Sequence, residues 1–178
     1  MDRTTLARRI YQESHLTGEF LLRSGAISSE YFDKYLFEAR PDILKAIAGQ
    51  MQPLIPGDAD ALAGLEMGGI PVVTMLSQVS GLPALFVRKK AKEYGTRKLA
   101  EGGEVKGQRL VVVEDVVTSG GQILESVREL RDRGAIVSDV LCVIDREAGG
   151  VQNLAGDGLR LHALFTMSDL KAAGGETA

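Results

Sequence analysis

From residue 61 onward the chain repeats one pattern. A short, wholly apolar run meets a turn rich in glycine, and a stretch follows in which apolar residues return every three or four positions. "ALAGL" (61–65) leads through "EMGG" into "IPVVTMLSQVSG", and "RLVVVED" (109–115) leads through "VVTSGG" into "QILESVRELRDRG". "ALFVR" (84–88) runs into a basic segment, and "VSDVLCVI" (137–144) ends at "DREAGG". Continuous apolar strands separated by amphipathic helices predict a mainly parallel sheet covered on both faces, an α/β architecture. The last stretch, "LRLHALFTMSDLKAAG", reads as an edge strand and a short helix.

Before residue 61 the pattern is less regular. Residues 5 to 16 set Leu6, Ile10 and Leu16 at near-helical spacing, with Thr4 or Thr5 as the cap. "GEFLLRSGAIS" reads as a short strand and a turn at Ser24-Gly25, and "EYFDKYLFE" as a second short extended or mixed piece. Pro41 opens a helix, "PDILKAIAGQMQ", that closes before Pro53. The expectation is a single domain over residues 1–178, with a subordinate N-terminal layer over about residues 1–60 and a ligand-binding core over about residues 61–165.

Composition agrees with a packed domain: 178 residues, 44% of them hydrophobic, supply enough apolar surface for one substantial core. No run reaches the roughly 18 to 20 apolar residues of a membrane span, and the first residues lack the apolar centre of a secretory signal, so a cytoplasmic protein is expected. Cys142, the only cysteine, lies inside an apolar run and reads as a core thiol. His15 and His162 fit no zinc spacing.

The formal net charge of −3 argues against a general nucleic-acid binder. The positive charge is nonetheless concentrated. Residues 88–98, "RKKAKEYGTRK", hold six Lys or Arg against one Glu, a local +5 that leaves −8 for the rest of the chain.

In a parallel sheet, ligands bind beyond the carboxyl ends of the strands. Four chemically loaded turns fall there: Glu66 to Gly69, Arg88 onward, Glu114 onward, and Asp145-Arg146. Glu114 and Asp115 are adjacent carboxylates that repel, so a cation or hydroxyl groups belong between them. Thr118 to Gln122 offer successive backbone N–H groups just before a helix, which suits a phosphate. The same residues would also make a plain turn capped by Thr118 or Ser119. Neither a GxxxxGK[ST] loop nor a GxGxxG turn occurs. Phosphate-binding N–H groups beside hydroxyl-binding acids would together hold a sugar phosphate.

At this point the chain resembles the type I phosphoribosyltransferases, whose motif for phosphoribosyl diphosphate (PRPP) is an apolar strand, two acids and a TSGG-like loop. "FVRKKAKEYGTRKLAEG" (86–102) resembles the mobile loop of the orotate phosphoribosyltransferases, including the form found within UMP synthase. "GLEMGGIP" (64–71) is similar to that family's pyrophosphate turn, although enteric bacterial members carry Lys where Gly68 stands. "VIDREAGG" (143–150) is similar to the turn whose Arg holds the orotate carboxylate, and "GEFLLRSGAISSEYFDKYLF" to the region where a basic residue and aromatics approach the base. Arg23 stands in a Lys position, Tyr31 and Phe32 in the aromatic positions, and Tyr94 where enteric members have His. The likeness runs from about residue 18 to 150.

The resemblance implies the type I fold with a small N-terminal hood. It also implies transfer of ribose 5-phosphate from PRPP to orotate, giving orotidine 5′-monophosphate and pyrophosphate in UMP synthesis. The PRPP-binding set it implies is Arg88, Lys89, Lys92, Tyr94, Glu114, Asp115, Val116, Val117, Thr118, Ser119, Gly120, Gly121 and Gln122; Lys92, Glu114 and Asp115 carry the catalytic roles. Thr118, Arg146 and Arg23 would position orotate. Mg²⁺ would be held mainly by substrate oxygens, and a homodimer would share the basic loop across its interface. The PRPP motif alone also fits a purine or other phosphoribosyltransferase, or a PRPP-binding regulator of the same fold.

Overall fold

A computed structural model describes residues 1–21, 25–90 and 98–175. Helix α1 (Arg3–Ser14) is followed by a hairpin of β1 (His15–Leu21) and β2 (Ile27–Phe32), then by α2 (Lys34–Glu38) and α3 (Pro41–Met51). The larger unit runs β3 (Ala61–Leu65), α4 (Gly69–Ser80), β4 (Ala84–Val87), β5 (Ala100–Glu101), β6 (Arg109–Val117), α5 (Gly121–Asp132), β7 (Ile136–Asp145), α6 (Gly150–Gly156), β8 (Arg160–Thr166) and α7 (Met167–Gly174). Its six strands lie in the order β5-β4-β3-β6-β7-β8. The neighbouring pairs from β4 to β8 are parallel and β5 pairs antiparallel with β4. The mainly parallel α/β sheet expected from the apolar runs is present, and β1 and β2 form a separate two-stranded hood.

Alternate residues of each strand serve two cores, which is why the strands read as uninterrupted apolar runs. Val111 and Val113 of β6 join Leu141 and Val143 of β7 under α1, α3, α4 and α7. Leu110 and Val112 join Val140 and Cys142 on the opposite face, beneath α5 and α6. Cys142 is fully buried, and burial pushes its thiol well above the ordinary range, as expected of a core thiol. Among the described residues no helix is long and apolar enough to cross a membrane.

The N-terminal elements differ in detail from the pattern-based expectation. Asp2, not Thr4 or Thr5, caps α1: its carboxylate accepts from the Thr5 N–H at 2.9 Å and from the Thr5 hydroxyl at 2.7 Å. The helix stops at Ser14 because the chain turns extended at His15, and Leu16 pairs with Tyr31 in the hairpin instead of extending the helical stripe. "EYFDKYLFE" divides at Asp33, whose side chain accepts from the Tyr35 N–H at 3.1 Å and starts α2. Pro53 lies inside a 3₁₀ turn, Gln52–Leu54, that continues from α3.

Helix α2 is only five residues long and could not persist alone. Phe37 anchors it, fully buried in the core with Ile43 and Ile47 of α3. Phe37→Ala should therefore lower the unfolding free energy by about 3–5 kcal/mol in urea titrations, the range for emptying a buried Phe site.

Candidate active site

Beyond the carboxyl ends of β3, β4 and β6 lies an open cleft of about 470 Å³. Residues 116–123 form one wall, and Glu66, Met67, Gly68 and Lys89 another; Lys34, Tyr35 and Glu114 complete the lining. The strand ends are tied together: Glu66 Oε1 accepts from the Lys89 N–H at 2.7 Å, and the Glu66 N–H donates to the Val87 carbonyl at 2.9 Å. Lys89 thus reaches the cleft. Arg88, one residue earlier, turns to Glu101 of β5 at 3.5 Å and is not among the lining residues. Lys92, Tyr94 and Arg23 lie outside the described residues.

The phosphate-binding expectation concerned Thr118 to Gln122. Gly120 occupies the N-cap of α5 with φ of 78°, and no side chain caps the helix. Thr118 and Ser119 therefore do not act as the caps of an ordinary turn. Left-handed backbone at Gly120 and a bare 12-residue helix start leave N–H donors for an anion. Helix α6 props this loop from outside: Asn153 Nδ2 donates to the Ser119 carbonyl at 2.9 Å. Asn153 went unnoticed in the sequence, where it is one polar residue of a short helix.

Glu114 and Asp115 do not share one environment. Glu114 is partly exposed and lines the cleft, whereas Asp115 is 0% exposed. The Asp115 carboxylate lies against the Glu66–Gly69 turn, where a Cβ built on Gly68 would come within 1.6 Å of Oδ2. Lys34 of α2 reaches the same oxygen, its Nζ 2.6 Å away. The other oxygen accepts from the Val116 N–H, and the Asp115 N–H donates to Glu114 Oε1 at 3.0 Å. Glu38, one helical turn beyond Lys34, brings a third, 6% exposed carboxyl to the cluster. The cation that meets Asp115 is thus Lys34, which no sequence motif singled out.

This arrangement sorts the protons. Burial, then the charge of Asp115, raises the Glu114 carboxyl well above its ordinary range. Burial, then hydrogen bonding to Asp115, pushes Glu38 up to about 9. Burial also works against charge on Asp115, but contacts with Glu114, Glu38 and Lys34 outweigh it and hold Asp115 low. Burial likewise opposes charge on Lys34, but the hydrogen bond to Asp115 and the negative charges around it together outweigh that and raise the ammonium above its ordinary value. The charged pair in the cluster is Lys34–Asp115.

A second cleft, of about 340 Å³, lies between the hood and α7, lined by Tyr31, Phe32, Arg146, Met167 and Lys171 among others. The sequence-predicted Arg146 and both aromatics therefore meet. The Arg146 N–H donates to the Val117 carbonyl at 2.8 Å, which fixes this cleft's edge to the phosphate loop. Its acidic neighbours are otherwise engaged. Asp145 accepts from the Glu147 N–H at 2.9 Å, and Glu147 accepts from the Ser168 N–H at 2.9 Å and hydroxyl at 2.6 Å.

A phosphoribosyl transferase domain matches residues 36–157. The orotate phosphoribosyltransferase of a Nocardioides species is 52% identical over 169 residues, covering 95% of this chain and 94% of the relative. The chain belongs to the orotate phosphoribosyltransferase family. Among solved structures, the Mycobacterium tuberculosis orotate phosphoribosyltransferase in complex with inorganic phosphate superimposes with a TM-score of 0.84 at 32% identity, covering 94% of this chain and 97% of that one. The same enzyme in complex with PRPP gives 0.82 at 31%, covering 96% and 99%.

Two expectations follow for the acid cluster. Gly68→Ala pushes a methyl group into the Asp115 carboxylate and should cost about 1–3 kcal/mol in urea unfolding. Asp115→Ala should relieve most of that cost in the double variant, a coupling that a double-mutant cycle measures. Glu38 keeps its proton in the folded protein to about pH 9, while the unfolded chain releases it near the ordinary value of 4.5. The folded state then binds more protons between those values, so its stability falls as pH rises from about 4.5 to 9. Glu38→Gln, neutral throughout, should flatten that decline. At pH 8 the variant should exceed the wild type by on the order of 1 kcal/mol or more in thermal and urea melts.

Proposed function

We propose that this protein is an orotate phosphoribosyltransferase, joining orotate to PRPP to give orotidine 5′-monophosphate and pyrophosphate in UMP synthesis, in the cytoplasm. The observation that carries the reading is the backbone bond from Arg146 to Val117, which sets the Arg146–Tyr31–Phe32 cleft directly against the phosphate loop. A flat base bearing a carboxylate and a sugar phosphate can be held side by side there.

Residues 118–122 hold the 5′-phosphate through backbone N–H groups and the start of α5. Val116 and Val117 bring the chain from the acids to that loop; Glu114, which lines the cleft, binds the ribose hydroxyls, and the buried Asp115 stands behind it as the second acid of the site. A preorganised negative charge at Asp115 then favours the positive charge that grows on the ribose ring as the anomeric bond to pyrophosphate breaks. Lys89, with Lys92 of the basic segment, neutralises the departing pyrophosphate, and Tyr94 adds a hydrogen bond to it. Arg88 supports this segment from its pairing with Glu101. Arg146 receives the orotate carboxylate, with Thr118 and Arg23 at the base.

Among the described residues no group of three or more His, Cys, Asp or Glu side chains converges to hold a metal. Mg²⁺ is proposed to enter on the substrate's own oxygens, where it neutralises diphosphate charge. The active form is proposed as a homodimer in which residues 89–106 of one protomer cover the partner's cleft and exclude water from the ring cation.

The test is ultraviolet absorbance on mixing the protein with PRPP, Mg²⁺ and orotate, with uracil, hypoxanthine and adenine in parallel. Orotate alone should be consumed, and Arg146→Ala should lower kcat/KM for orotate by roughly 100-fold, as for loss of a charge-assisted contact of about 3 kcal/mol. Turnover of another base would reassign the base, and tight PRPP binding with no turnover would make the protein a regulator.

A further inference from the structure

Three carboxyl groups, Glu38, Glu114 and Asp115, crowd the ribose end of the cleft, yet one cation enters among them. That cation is Lys34. It lines the cleft on one side and touches the fully buried Asp115 on the other, at 2.6 Å. We infer that Lys34 is a positioning residue for the ribose-binding acids: its ammonium holds Asp115 as an oriented carboxylate against the Gly68 turn. The inference rests on the sugar-phosphate reading of the cleft and deepens it.

The geometry leaves little alternative for the charge. Asp115 has no exposed surface, so water does not stabilise its anion. One oxygen accepts the Val116 N–H and the other meets Lys34, in the space left by the missing Gly68 side chain. Among the described residues, the ionisable groups that act on Asp115 are Lys34 and Glu38 on α2 and Glu114 on its own strand, and the charge of Asp115 in turn acts on the Cys142 thiol of β7. Lys34 is the only base among these groups. Without it, three acids would face one another in a dry site, and Asp115 would take up a proton as its two neighbours do. A protonated Asp115 would supply no negative field to the cleft that Glu114 lines, neither to the sugar end nor to a ring cation.

The placement of Lys34 serves this role. Residues 34 and 38 lie one turn apart on the same face of α2, so a single short helix delivers the ammonium and the neutral acid together. Phe37, on the buried side of that helix, fixes its height above the sheet.

The experiment compares ribose 5-phosphate with inorganic phosphate, by titration calorimetry from pH 5 to 8, for wild type, Lys34→Met and Lys34→Arg. Both ligands carry a titrating phosphate, so the ratio of their affinities isolates the contribution of the sugar hydroxyls. Lys34→Met should reduce the ribose 5-phosphate affinity about ten-fold relative to phosphate, equivalent to about 1.4 kcal/mol. It should also move the acid-side loss of that preference to higher pH. Lys34→Arg should restore the acid-side limb toward wild type, since the charge is kept.

A wild-type preference for ribose 5-phosphate that Lys34→Met leaves intact at every pH would overturn the inference alone. Equal loss of both ligands would also overturn it, because Lys34 would then be a plain phosphate counter-charge. Should Lys34→Met fail to fold, Lys34→Gln replaces it under the same criteria, with phosphate binding as the check on the loop. If wild type shows no preference for the sugar phosphate, the reading of the cleft itself falls.

Discussion

The contact between Lys34 and Asp115 is the interaction on which the site's electrostatics depend. A parallel strand buried on both faces ends here in two acids, and in that setting neither would keep its charge unaided. The ammonium 2.6 Å from Asp115 Oδ2 decides which acid is the anion, and the remaining carboxyls follow by holding protons. One ion pair thereby sets the charge state of a whole cluster. Breaking it would leave Asp115 with no counter-charge out of water, and the carboxyl would neutralise by taking up a proton.

The same contact joins the two parts of the molecule. Lys34 comes from the N-terminal region, at the foot of the hood, while Asp115 belongs to the central strand of the sheet. On the other side, Arg146 at the end of β7 is tied by its backbone to Val117 of β6, and Glu147 is held by Ser168 at the start of α7. Hood, sheet and C-terminal helix thus converge on the strand ends from three directions. The rigid strands fix the acids and the 116–123 wall of the first cleft, and the flanking elements bring the groups that set charge and line the second cleft.

Much of this was legible in the sequence because the relevant signals are local. Apolar runs broken by glycine turns gave the parallel sheet, and two acids followed by small residues marked the end of β6. Arg146, Tyr31 and Phe32 could be assigned to one base-binding region through motif resemblance, and they do meet. What stayed hidden depends on contacts between residues far apart in the chain. Lys34 and Glu38 read as part of a mixed extended piece, since nothing local reveals that Asp33 starts a helix aimed at residue 115. Asn153 is invisible for the same reason, and Arg88 was grouped with Lys89 although alternation at a strand end sends neighbouring side chains apart.

Gly68 links these observations. It sits on the turn beside the two acids and leaves that turn without a side chain. A side chain at residue 68 would have to begin in the volume that the Asp115 carboxylate occupies, with its Cβ 1.6 Å from Oδ2. Glycine is therefore a condition for Asp115 to lie where it does, and the carboxylate then meets an ammonium arriving from α2 instead of from the turn. The positive charge at this end of the cleft thus comes from a helix and not from the turn beside the acids. A group on α2 responds to the packing of Phe37 and the hood, so the state of Asp115 is coupled to the element nearest the base-binding cleft. A lysine on the turn would act within the strand ends alone.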